Sequence, residues 1–223
     1  MILRIFAFLA KAVFVFVVFS VVLTLILRFV PVTWTATMLM DEHSVTRDWE
    51  PLSRIDRNMV SAVIAAEDGK FCSHDGFDRE AIEEALEERA RGERQRGAST
   101  ISQQTAKNVF LWQGGGWLRK GFEAYFTFLI ENLWDKRRIM EVYLNVAETG
   151  QGTYGVESGS QRYFGHSAAR LSADEASRIA AVLPSPKTRE AVNPGAFTAR
   201  YGNTIQARIG QVRRDGLDNC VYE

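Results

Sequence analysis

From Ile5 to Leu27 the chain carries one charge, Lys11, among Phe, Val, Leu, Ile and Ala. As a helix these roughly 23 residues reach about 34 Å, enough to cross a hydrocarbon core of about 30 Å. Lys11 lies near the start of the run, where its stem can carry the ammonium to the interface. A cleaved signal peptide is the rival reading. The run exceeds the usual apolar segment of about 7–15 residues, and Arg28-Phe29-Val30-Pro31 follows it in place of a small-residue cleavage site. The pattern predicts a retained single-pass transmembrane anchor over residues 1–30. Arg4 and Lys11 at one end against Arg28 at the other lean toward a cytoplasmic N-terminus.

Residues 31–50 form a juxtamembrane segment with Trp34, Met38, Leu39 and Met40. It reads equally as a strip at headgroup level or as a plain linker. From Leu52 onward the periodicity is helical. Met59 to Ala66 is an apolar helix, and Asp78 opens a charged one through Ala90 with Ile82, Ala85 and Leu86 on one side. Arg91 to Gly97 is a charged, glycine-bounded loop. Thr100-Ile101-Ser102-Gln103 fits a capping box, with a helix to Phe110 or Leu111. Gly114-Gly115-Gly116 then breaks the chain. Apolar residues at Leu118, Phe122, Tyr125, Phe126, Leu129, Ile130 and Leu133 keep a helical period, and Lys136 to Ala147 repeats it. A second capping box, Ser172 to Glu175, opens a helix stopped by Pro184 and Pro186. No strand of useful length alternates with period two, so the fold class is mainly α.

With 223 residues, 46% of them hydrophobic, the chain can bury one sizeable core beside an appendage. Equal numbers of acidic and basic residues, 27 each, give no sign of a nucleic-acid partner. Cys72 and Cys220 suit an oxidising compartment without requiring a bond between them. No Cys/His spacing resembles a zinc site.

Four polar clusters carry candidate chemistry. Glu67 and Asp68, with His74 six residues beyond Asp68, close the apolar helix, where carboxylates are costly unless paired or used. Ser99, Thr100, Gln103, Gln104, Lys107 and Asn108 surround a helix start, where free amides favour an anion or a sugar oxygen. A well-capped helix with a wet face explains the same residues. Arg119, Lys120 and Glu123 share one ridge at spacings of three and four, as any surface ion pair would. Glu141, Asn145 and Glu148 form a polar stripe before glycines 150, 152 and 155, which suggest a loop approaching something closely.

In sequence order these clusters read Glu-Asp-x-x-Phe-x-x-His-x-Gly-x-Asp, Gly-x-Ser-Thr-x-x-Gln-Gln-x-x-Lys-Asn, Arg-Lys-x-x-Glu and Tyr-Leu-Asn. Together they resemble the signatures of the family 51 peptidoglycan glycosyltransferase domain, over Trp49 to Gly165. The resemblance implies a lysozyme-like helical lobe beside a smaller membrane-proximal lobe, here residues 51–223. It implies polymerisation of lipid II into β-1,4-linked glycan with inversion and release of undecaprenyl pyrophosphate. Glu67 would be the general base and Glu123 the second essential carboxylate. Lys107, Arg119 and Lys120 would offset charge on the leaving pyrophosphate. Asp68, His74, Ser99, Thr100, Gln103, Gln104, Asn108 and Asn145 would position substrate or brace the site.

No cofactor is required by this reading. A divalent cation, Mg or Mn, riding on the pyrophosphate is compatible with it, and no residue cluster demands a dedicated metal site. The implied partners are lipid II, the growing glycan strand, the lipid bilayer and other wall-synthesis proteins. The implied location is a bacterial inner membrane, with the catalytic domain in the periplasm. Two departures stand out. Gly115 falls where many relatives carry an Arg, a contact that Arg94 or Arg96 could replace, and Gly159 falls where relatives often have Ala. A lytic hydrolase is the first rival, since one Glu in a helical lobe also suits glycosidic cleavage. A neutral glycan needs no cationic clamp, however. A dead-site scaffold is the second rival, and retention of both carboxylates and all three cations argues against it. Fewer than about sixty residues follow Gly165 and no Ser-x-x-Lys motif occurs, so no acyl-transferring domain is expected.

Overall fold

The computed structural model describes residues 1–92 and 97–222. The expected charged loop therefore lies partly outside the described residues, as do Arg94 and Arg96. Helix α1 (Ile2–Leu27) is the apolar run, long and apolar enough to cross a membrane, and along it only Ser20 and Thr24 are buried. Those two residues mark where it docks. The Ser20 and Tyr125 hydroxyls lie 2.6 Å apart, and the Trp134 indole N–H donates to the Thr24 carbonyl at 2.8 Å. Arg138 donates to the carbonyls of Leu27 and Val30 at 2.8 and 2.6 Å. Beside this joint an apolar groove of about 600 Å³ is lined by Phe16, Phe19, Leu23, Phe110, Phe122 and Phe126.

Residues 31–50 are more than a linker. Helix α2 (Ala36–Leu39), capped by the Thr35 hydroxyl, packs on α5 (Ile101–Phe110). Val32 and Met38 join the core, while Trp34, Leu39 and Met40 face outward. Strand β1 (Thr46–Arg47) runs parallel to β3 (Thr153–Tyr154), which is antiparallel to β2 (Glu148–Gly150). Strands of two or three residues hold too little alternation to be read from sequence. The glycine-rich loop does approach something closely, but it is the protein's own backbone. A Cβ at Gly152 would sit 2.7 Å from the Ser44 carbonyl oxygen, and one at Gly155 2.9 Å from that of Asn145.

Two helix groups build the core. Helices α3 (Arg57–Glu67), α9 (Ala173–Val182) and α10 (Ala196–Arg214) pack on one another, and α5 packs on α6 (Gly116–Leu133) and α7 (Lys136–Val146). Both predicted capping boxes form, Thr100 with Gln103 and Ser172 with Glu175. Two apolar positions depart from expectation. Leu86 on α4 (Arg79–Ala90) is 60% exposed and Leu118 on α6 is 71% exposed. Periodicity fixes which residues share a face but not where the neighbouring helix ends, so the packed stripe of α6 begins one turn later, at Phe122.

Cys72 and Cys220 form a disulfide across 148 residues, joining the turn after α3 to helix α11 (Asn219–Tyr222). Beside it, fully buried Asp218 accepts two hydrogen bonds from Arg57, at 2.8 and 2.9 Å. A cross-link closing so long a loop is worth about 4–5 kcal/mol by chain entropy, and measured losses for native disulfides run about 2–5 kcal/mol. Changing Cys72 and Cys220 together to Ser should lower urea-unfolding stability within that range, and a reductant should do the same to the wild type. Equal midpoints with and without reductant would show that the thiols do not pair.

Candidate active site

Glu67 is the last residue of α3, a helix whose Met59, Val60, Ala62, Val63 and Ile64 are buried in the core. The packing that makes α3 apolar thus delivers one carboxylate to the helix-group boundary. Gln104 Nε2 donates to Glu67 Oε2 at 2.7 Å, and the Tyr143 hydroxyl donates to Gln104 Oε1 at 3.4 Å, which fixes the amide's orientation. Glu67 Oε1 is shielded from solvent and has no hydrogen-bond partner. Burial pushes the Glu67 carboxyl up. The Gln104 bond and the charges of Arg189 and Lys107 oppose that, and Asp68 adds to it.

Asp68, next to Glu67, is engaged by its neighbours. His74 Nε2 lies 3.0 and 3.1 Å from its two oxygens, and Oδ2 also accepts the Ile101 N–H at 3.0 Å. The Gly76 N–H donates to His74 Nδ1 at 3.1 Å, so the histidine proton sits on Nε2, facing Asp68. The pair ties the end of α3 to the start of α5. Thr100 caps α5 and donates to the Gly76 carbonyl at 2.7 Å, and Gln103 returns to the Thr100 N–H at 3.0 Å. Asn145 is buried, bonded to both backbone groups of Glu50 and to the Glu141 carbonyl, each at 2.8 Å. These bonds tie the ends of α3, α5 and α7 together around the site.

The cations gather around Glu123. Glu123, 3% exposed, accepts from Arg119 Nη1 at 2.6 Å and from Lys120 Nζ, which also donates to Ser99 Oγ at 3.2 Å. Lys107 is half-buried and has no hydrogen-bond or ion-pair partner among the described residues. Burial pushes its ammonium down, Glu123 and Glu67 pull it up, and Arg119 and Lys120 push it down. Its charge therefore couples to both carboxylates. Two clefts flank the Glu67–Gln104 pair. One of about 350 Å³ is lined by Glu67, Ser99 and Thr100, the other of about 500 Å³ by Gln104, Lys107, Asn108, Tyr143 and the loop after α9.

The two departures have local causes. Gly115 is the N-cap of α6 at φ +86°, and a Cβ there would lie 2.9 Å from Trp112 Nε1 and 3.0 Å from Arg119 Cβ. A side chain is strained at that backbone conformation, so this loop carries no cation at 115. A Cβ at Gly159 would lie 2.7 Å from Thr149 Oγ1, which is bonded to two backbone carbonyls. Alanine would force Thr149 to move. Sequence reading missed Tyr143 as the partner of Gln104, and it missed Arg189 and Tyr201 beside Glu67. Tyr143 counted as an apolar helical position and as part of the Tyr-Leu-Asn signature, neither of which implies that bond, and the other two reach Glu67 by tertiary packing with no local signal.

The family model described as Transglycosylase matches residues 35–209. The chain is 48% identical over 204 residues to the biosynthetic peptidoglycan transglycosylase of Caulobacter vibrioides, covering 90% of this chain and 89% of the relative. It is 50% identical over 179 residues to that of Rhodospirillum centenum, covering 80% and 78%, and 46% identical over 213 residues to that of Pseudomonas putida strain W619, covering 92% and 90%. With the model spanning the site and the core around it, the chain belongs to the transglycosylase family.

Proposed function

We propose that the chain is a peptidoglycan glycosyltransferase that joins lipid II units into glycan strands, with Glu67 as its base. The observation that carries this reading is the dry, unpartnered Oε1 of Glu67 beside a half-buried, unpaired Lys107. A carboxylate shielded from water takes up a proton readily, and an ammonium in a cleft with no hydrogen bond or ion pair of its own among the described residues is suited to an anion. Glu67 Oε1 takes the proton from the 4-hydroxyl of the acceptor's N-acetylglucosamine. That oxygen bonds to the anomeric carbon of the donor's terminal N-acetylmuramic acid as the bond to pyrophosphate breaks on the opposite face. The linkage inverts from α to β, and the electron pair leaves on the diphosphate. Lys107, Arg119 and Lys120 stabilise that charge, the last two held by Glu123. Glu123 acts through its cations as a positioning residue, because both its oxygens are already bonded to them.

In this reading a divalent cation rides on the diphosphate itself. Glu123 is committed to Arg119 and Lys120, and among the described residues no group of three or more His, Cys, Asp or Glu could hold a metal. No step here runs through one. Helix α1, the one helix among the described residues long and apolar enough to cross a membrane, is consistent with a single-pass anchor. We place the domain on the outer face of a bacterial inner membrane, with the bilayer and other wall-building proteins as partners. The disulfide supports this side, since such bonds persist in oxidising compartments.

Purified protein incubated with labelled lipid II should yield polymer that lysozyme digests. Soluble fragments from purified cell wall, with no polymer from lipid II, would replace this reading with a lytic one.

A further inference from the structure

A second device lies near the end of α3 that carries Glu67. Pro184 and Pro186 follow α9, and the turn after them folds Arg189 back so that its Nη1 donates to the Ala181 carbonyl at 2.8 Å. Its guanidinium carbon lies 5.1 Å from the ring centre of Phe197 and 5.8 Å from that of Tyr201, both on α10. The Tyr201 hydroxyl donates to the carbonyl of Ala66, the residue before Glu67, at 2.8 Å. Helix α10 packs on both α3 and α9, so shelf, cation and carboxylate belong to one packed unit. Arg189 makes no ion pair among the described residues, although it is half-buried. A cation pinned on an aromatic shelf without a carboxylate of its own calls for a reason.

The groups facing Glu67 come from every element around it. Asp68 follows it, Gln104 and Lys107 face it from α5, Tyr143 from α7, Tyr201 from α10 and Arg189 from the loop. The charges of Arg189 and Lys107 oppose the effect of burial on the Glu67 carboxyl, and Asp68 adds to it. We propose that Arg189, stacked on Phe197 and Tyr201, is a positioning residue that holds Glu67 in its proton-accepting form. The inference rests on Glu67 being the base, as read above. The chemistry needs such a group. Burial pushes the Glu67 carboxyl up, and Lys107, the other cation that opposes that push, serves the leaving diphosphate in the reading above. Arginine suits the task because it stays charged at every working pH and stacks flat on a ring.

The test is the pH dependence of kcat and KM on lipid II for the wild type, Arg189→Gln, Arg189→Lys and Tyr201→Leu, with thermal melts as the check on folding. Arg189→Gln should lower kcat on the acid limb about tenfold, leave the alkaline plateau within about twofold and leave KM unmoved. Arg189→Lys should recover most of the acid-limb rate. Tyr201→Leu removes the shelf but keeps the charge, and it should displace the limb in the same direction by less. If Arg189→Gln does not fold, the Lys and Leu variants carry the comparison. Equal loss at every pH, a rise in KM alone or an unmoved limb would each overturn the inference. Wild-type protein that makes no polymer would instead overturn the reading of Glu67 beneath it.

Discussion

Glu67→Gln is expected to make no glycan from lipid II while keeping the wild-type fold. A positioned general base contributes about 10²–10⁴-fold, and the Glu67 oxygen that would take the proton is buried without a hydrogen-bond partner. The Gln104 bond survives the change, because the new amide oxygen can still accept from Nε2. The melting temperature gives an independent check with a definite sign. The folded protein holds the Glu67 proton more tightly than the unfolded chain does, since burial raises its carboxyl above the ordinary value near 4.5. Glu67 therefore adds stability below that value, and the contribution is lost as pH rises through the raised one. Glutamine has no such titration. The melting difference, variant minus wild type, should grow as pH rises from acid toward neutral, across the window in which wild-type activity appears. Polymer from the variant would overturn the mechanism, and a difference constant with pH would overturn the account of burial.

What was legible in the sequence was set by local geometry. Thr100 with Gln103 and Ser172 with Glu175 announce helix starts because a cap and its reciprocal bond are three residues apart. Arg119, Lys120 and Glu123 lie on one turn, so their spacing already implies the clamp that forms. The apolar run before Glu67 foretells its burial. Contacts between distant segments left no such trace. Cys72 pairs with a residue 148 positions away, and Tyr201 meets Ala66 only because α10 crosses α3. Asn145 was legible as part of a polar stripe, but nothing local says that its amide is saturated by the backbone of Glu50. The juxtamembrane residues hid their packing for a related reason. Val32 and Met38 turn inward while Trp34, Leu39 and Met40 turn outward, without a helical or strand period to announce it.

Glu123→Gln should lower kcat about 10²–10³-fold with little change in KM, for a reason unlike that at Glu67. The magnitude is that of losing a preorganised charge stabiliser, and its cause is loss of order in Arg119 and Lys120. Both lose an anionic partner, while Thr127 still bonds to the backbone carbonyl of residue 123 and holds the helix. Severing a fully buried ion pair costs about 3–5 kcal/mol, but the Lys120 side chain is 41% exposed and Arg119 17%, so a loss of about 1–3 kcal/mol is expected. A double-mutant cycle with Lys120→Met separates positioning from direct contact. If Glu123 acts through the cation, removing both should cost little more in kcat than removing one. Strictly additive losses would mean that Glu123 reaches the substrate itself. A steep rise in KM with kcat intact would mean that the clamp serves ground-state binding, leaving Lys107 as the cation that meets the departing diphosphate.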